Sequence, residues 1–174
     1  PPGSTAFMRQ QESILQEQNP DASIFYQWVD YSQISVNLKS AVIASEDAKF
    51  ADHDGFDWES LEKAIEKHQR NPDAKRVVGG STISQQLAKN LFLTPSRSYL
   101  RKAEEALITF MIESLWSKER ILEVYLNVAE WGVGVFGAEA ASQHYFQKPA
   151  IKLGRRQAAR LAAMLPNPRY YDKN

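Results

Sequence analysis

Apolar residues recur at helical spacing through most of the chain, and two-residue alternation is rare. The pattern predicts helices over residues 6–18, 36–46, 57–68, 82–93, 98–116, 118–127, 138–146 and 154–165. Leu38, Val42 and Ile43 mark one face of the second. Leu100, Leu107, Phe110 and Met111 mark the expected buried stripe of the long fifth helix. Asp57 stands where an N-cap is expected, and Thr82-Ile83-Ser84-Gln85 fits a capping box. Residues 23–29 are aromatic and β-branched and read as extended. Polar residues with Pro72, Gly79 and Gly80 predict a mobile loop over 68–80. Gly132, Gly134 and Gly137 predict a tight turn between helices. Pro95, and Pro166 with Pro168, are expected to stop the helices before them. The chain therefore reads as a mostly α protein.

Composition narrows the class. The chain has 174 residues, 43% of them apolar, which suits one domain with a sizeable core. Its 21 basic and 21 acidic side chains cancel, so general attraction to nucleic acid is unsupported. Without cysteine there is neither a disulfide nor a thiolate site. The longest apolar run, residues 106–112 with Thr109 inside it, falls far short of the ~20 residues that span a bilayer. The charge is strongly segmented: 12–66 carries −9, 67–102 carries +7, 103–139 carries −5 and 140–174 carries +6.

The candidate chemistry lies mainly in the first two segments, with Glu105 at the start of the third. Gly132 to Gly137 matches G-x-G-x-x-G, but a helix precedes it and Arg155-Arg156 stand where the acidic residue belongs, so a dinucleotide site is rejected. His53, His68 and His144 have no metal-ligand spacing. Glu46 follows an apolar stretch, and poor solvation there would raise its pKa toward general-base range. The alternative is a helix-end Glu46 and Asp47 paired with Lys49, which these residues taken alone favour. Glu105 is a second candidate carboxylate; its alternative is an i−4 ion pair with Arg101. Gly79-Gly80-Ser81-Thr82 enters a helix whose amides suit an anion, with Lys89, Arg97, Arg101 and Lys102 downstream. Carboxylates beside fixed cations fit transfer of a sugar from a diphosphate leaving group.

These residues resemble the ordered motifs of glycosyltransferase family 51, the peptidoglycan glycosyltransferases. Residues 46–55 are similar to E-D-x-x-F-x-x-H-x-G, and 79–90 to G-x-S-T-x-x-Q-Q-x-x-K-N. Arg101-Lys102-Ala103-Glu104-Glu105 is similar to R-K-x-x-E, and 118–127 to K-x-x-I-L-x-x-Y-L-N. Residues 137–146 resemble a fifth block. The resemblance covers most of 36–168.

The resemblance implies a lysozyme-like helical head with a smaller, mobile, membrane-proximal jaw, formed by residues 1–174 as a single glycosyltransferase domain. Residues 127–132 and 166–168 look like the family's monofunctional members. Those carry one N-terminal transmembrane anchor, so the Pro1 start is expected to follow a removed anchor. The implied substrates are lipid II and the growing glycan, joined by an inverting β-1,4 transfer that releases undecaprenyl pyrophosphate. Glu46 is implied as the general base, with Glu105 a second catalytic carboxylate. Asp47, Ser81, Thr82, Gln85, Gln86, Lys89, Arg97, Arg101 and Lys102 are implied as substrate-binding, Lys89 and Arg97 on the donor pyrophosphate. No cofactor or metal site is implied; Mg or Mn enters only as a stimulant. The implied setting is the periplasmic face of the bacterial inner membrane, with cell-division and penicillin-binding proteins as candidate partners. A lytic enzyme of lysozyme type and an inactive scaffold are the rival readings; the first leaves Lys89 and Arg97 unexplained, the second the intact motifs.

Overall fold

The computed structural model describes residues 3–70, 80–93 and 99–173. Among them the chain forms α1 (Ala6–Gln18), β1 (Phe25–Tyr26), α2 (Val36–Glu46), α3 (Trp58–Arg70), α4 (Ile83–Phe92), α5 (Tyr99–Leu115) and α6 (Lys118–Val128). Then come β2 (Glu130–Gly132), β3 (Val135–Phe136), α7 (Ala138–Phe146), α8 (Arg155–Met164) and α9 (Pro168–Lys173). The fold is mostly α, of the lysozyme-like kind. None of the described helices is long and apolar enough to cross a membrane.

The core is built around α6. Ile121, Leu122 and every residue from Val124 to Val128 are buried. Such all-round burial marks a central helix. α4, α5 and α7 pack around it, and α2 lies along α8. Asn127, wholly buried on α6, needs partners for its amide. Its Oδ1 accepts from Val29 N and its Nδ2 donates to Val29 O, each at 2.9 Å. That clamp holds the segment leading into α2 against the central helix.

Helix ends follow the sequence closely. Thr82 Oγ1 accepts from Gln85 N, and Gln85 Oε1 accepts from Thr82 N at 3.0 Å, which completes the expected capping box. Asp57 Oδ1 accepts from Ser60 N at 3.0 Å, the expected N-cap of α3.

Several expectations are corrected. α3 continues to Arg70, so residues 68–70 of the expected loop are helical; residues 71–79 of that expectation lie outside the described ones. Only Phe25–Tyr26 of the expected extended segment forms a strand, pairing in parallel with β3. The glycine-rich stretch is a hairpin, not a bare helix-to-helix turn, because β2 pairs antiparallel with β3. Gly132 has no side chain because Tyr145 Oη would lie 2.3 Å from its Cβ. Gly137 has φ +88°, and a Cβ there would meet Asn127 O at 2.6 Å. Pro168 opens α9 rather than stopping a helix; its fixed φ and missing N–H suit the first helical position.

The largest correction concerns α5. Its expected buried stripe faces outward: Leu100 is 71% exposed, Leu107 and Phe110 63% each, and Met111 50%. The buried residues are Glu105, Thr109 and Ile112. Polar groups turn inward because the start of α4 and the loop before α3 need partners there. Thr109 and Glu113 pack against Gly55, and Glu113 accepts from Ser84 of α4. The apolar residues take the face that remains.

Candidate active site

Glu46 is the last residue of α2, where the helix leaves the core. Burial pushes its carboxyl above the usual range; the Gln86 amide opposes the rise, Asp47 adds to it and Lys89 opposes it. Gln86 Nε2 donates to Glu46 Oε2 at 2.9 Å, and Gln86 Oε1 accepts from Tyr125 Oη at 3.1 Å. Tyr125 is fully buried, and its hydroxyl is held well above its ordinary pKa by that burial, then by the charges of Glu46 and Asp47. It therefore stays protonated as a donor, which fixes which way the Gln86 amide points.

Two clefts take their walls from these residues and their neighbours. The smaller, about 240 Å³, is lined by Glu46, Asp47, Ser81 and Thr82 together with Lys49 and Asp57. The larger, about 450 Å³, is lined by Gln86, Lys89, Tyr125, Glu130, Arg169 and Gln10 among others. Six of the sequence-derived residues thus line one cleft or the other, and the Gln86–Glu46 hydrogen bond links the two sets.

Other candidates have structural partners. Asp47 receives Ile83 N at 3.0 Å on Oδ2, and His53 Nε2 lies 2.9 and 3.0 Å from its two oxygens. A buried carboxylate at a helix N-terminus is favoured by the unpaired amides and the helix dipole. Asp47 therefore ties Glu46 to the start of α4. Thr82 Oγ1 donates to Gly55 O at 2.7 Å, a second tie to the same loop. Gln85 is occupied in its capping box. Glu105 is buried on α5, with Oε2 accepting from Arg101 at 3.0 Å and Oε1 paired with Lys102. This is the ion pair that the sequence offered as the alternative, and Glu105 lines neither cleft above. Lys49 pairs with Glu59, so the pairing of Lys49 with Glu46 and Asp47 is corrected. Arg97 lies outside the described residues.

Residue chemistry alone missed several supports. His53 bridges Asp47 and the loop, its Nδ1 accepting from Gly55 N at 3.1 Å. Lys118 donates to His53 O and to Glu113 Oε1, and stands over the Phe50 ring. The signal was present: His53 and Lys118 occupy fixed motif positions. Glu130 and Arg169 carried no such signal. Among the described residues, no group of three or more His, Asp or Glu side chains is placed to hold a metal ion.

A desolvated carboxylate, a lysine within its electrostatic reach and a long cleft equip a helical domain for chemistry at a glycosidic carbon. The family model described as Transglycosylase matches residues 12–174, and the chain belongs to that family. It is similar to proteins named biosynthetic peptidoglycan transglycosylase. The one from Dechloromonas aromatica is 62% identical over 99% of this chain and 74% of its own length. That from Azoarcus sp. is 62% identical over the same shares, and that from Bordetella pertussis 61% identical over 99% and 72%.

Proposed function

We propose that the chain is a peptidoglycan glycosyltransferase that polymerises lipid II into β-1,4-linked glycan strands. The observation that carries this is Glu46: a carboxylate with raised pKa on the smaller cleft, hydrogen-bonded to Gln86 of the larger. The donor glycan lies in the larger cleft, its pyrophosphate near Lys89. The acceptor lies in the smaller one. Glu46 takes the proton of the acceptor 4-hydroxyl as that oxygen bonds to the donor anomeric carbon. The carbon's bond to pyrophosphate breaks on the opposite face, giving inversion and free undecaprenyl pyrophosphate. Lys89, and Arg97 with it, balance the charge that grows on the leaving group. Asp47, Thr82 and Gln85 position the base and its helix. Arg101 and Lys102 hold Glu105 on the adjoining helix.

The same reading gives the outward apolar face of α5 a role. A polyprenyl substrate keeps its tail in the bilayer, and a helix face rich in Leu, Phe and Met suits the membrane boundary. We place the domain on the periplasmic face of the bacterial inner membrane, with a single-pass anchor.

Purified lipid II tests the proposal. Glycan polymer and released undecaprenyl pyrophosphate are expected; cleavage of sacculi without polymer formation would favour the lytic alternative. The same assay in EDTA, against added Mg²⁺ or Mn²⁺, tests whether a divalent cation adds to the rate.

A further inference from the structure

The larger cleft has a wall that no catalytic motif supplies. It is formed by Glu130 of β2 and by residues 165–169, which lead into α9. Arg169 Nε donates to both oxygens of Glu130, at 3.1 and 3.2 Å. Glu130 is buried, and the Gly134 backbone also supports its carboxylate. The two Nη groups of Arg169 make no hydrogen bond to the described residues. A guanidinium held by Nε has its outer edge free, and that edge is the one that grips an oxyanion in bidentate fashion.

This arginine is also well anchored. Asp172, one turn along α9, accepts from Val133 N at 2.9 Å and from Tyr145 Oη at 2.6 Å. Its hold on α9 is independent of the Glu130 pair. The cleft around Arg169 is rich in amides: Gln10, Gln11, Asn90 and Asn167 line it, beside Phe7. Gln10 Oε1 is buried with no hydrogen-bond partner among the described residues. Amides beside an aromatic ring suit a sugar with N-acetyl and hydroxyl groups. A lone guanidinium among them suits an anionic substituent on that sugar.

We propose that Arg169, oriented by Glu130, binds an anionic oxygen of the glycan substrate in the larger cleft, and that Glu130 is a positioning residue for it. The inference rests on the reading above, in which that cleft holds the donor. Two groups offer such an oxygen: a carboxylate of the stem peptide, or the pyrophosphate.

Steady-state kinetics on the full chain separate the cases. With native lipid II, Arg169→Ala is expected to raise KM ~10-fold, the scale of a lost charge-assisted hydrogen bond, with a smaller change in kcat. Arg169→Lys should restore part of that loss. Glu130→Gln should raise KM in the same direction, because the neutral amide no longer fixes the guanidinium. A purely structural role would lower the melting temperature and would not respond to Lys rescue. The second arm uses lipid II with its peptide carboxylates amidated. If the Arg169→Ala penalty vanishes there, the ligand is the carboxylate; if it persists, the ligand is the pyrophosphate; both support the assignment. Equal KM and kcat for parent and Arg169→Ala on both substrates would overturn it while leaving the polymerase reading intact. A parent chain that makes no polymer would overturn both.

Discussion

In the proposed reaction Glu46 is the residue on which the chemistry turns, and its surroundings set a measurable pH response. Burial raises its pKa, so it becomes an active base only as pH climbs through that raised value. The acidic limb of kcat/KM should therefore lie above the range of an exposed glutamate. Gln86→Leu removes the amide that favours the ionised form, so the limb should move further up; an unmoved limb would show that Glu46 is not the titrating base. Glu46→Gln should cut polymerisation ~10²-fold or more. The same shift has a sign for stability. A carboxylate with a raised folded pKa gives up stability as pH rises through its unfolded and then folded values. Glu46→Gln should thus melt no lower than the parent at neutral pH, measured by thermal unfolding. In the same proposal Lys89 works on the charge at the other side of the bond. Lys89→Ala should lower kcat ~10²-fold, with Lys89→Arg rescuing only part, because charge is kept but shape is not. Unchanged kcat in folded Lys89→Ala would refute its role.

Among the elements, α4 has the most demanding start. Its first turn receives Asp47, its own Thr82 cap and the Gly55 tether, so Glu46 and the helix that carries Gln86 and Lys89 form one unit. Asp47→Ala leaves Ile83 N and His53 without their acceptor. A loss of about 2 kcal/mol is expected, which in a domain of this size lowers Tm by roughly 4–8 °C. Calorimetry checks it, and a Tm within one degree of the parent would contradict the strut. This level also shows what could be read without coordinates. The capping box at Thr82, the bounds of α1 and α2 and the run of α6 follow from local rules of spacing and capping, which act within a few residues. The motif positions of Glu46, Gln86 and Lys89 were equally legible. The Glu130–Arg169 pair joins residues 39 apart through a hairpin, and no local pattern announces it. The α5 stripe failed for a related reason. Periodicity told which residues share a face; which face meets the core was decided by the needs of Gly55, Ser84 and Lys118 elsewhere.

For the molecule as a whole, that outward face gathers exposed Leu100, Leu107, Phe110, Met111 and Leu115 on one helix. Trp58 and Ile65 of α3 and Phe92 of α4 are exposed as well. Large apolar side chains left exposed in such number mark a contact site. Flotation with anionic liposomes at low salt should carry the domain upward, and Leu107→Glu with Phe110→Glu should weaken flotation without lowering Tm. Failure of the parent to float would count against the membrane-facing role.

With α5 facing the bilayer as proposed, the usual link between what a side chain does for folding and what it does for the cell is reversed. Substitution of Leu100, Leu107, Phe110 or Met111 by a polar residue removes little packing, and in water it should improve yield and lessen self-association. Substitution at Glu105, Thr109 or Glu113 disturbs buried bonds whichever solvent surrounds the protein. A mutational scan scored by soluble abundance would rank the outer positions as permissive, even improvable. Scored by growth of a strain that depends on this enzyme, the same scan would rank them among the constrained ones. The gap between the two maps, position by position along one helix, would trace the footprint of the bilayer on the protein.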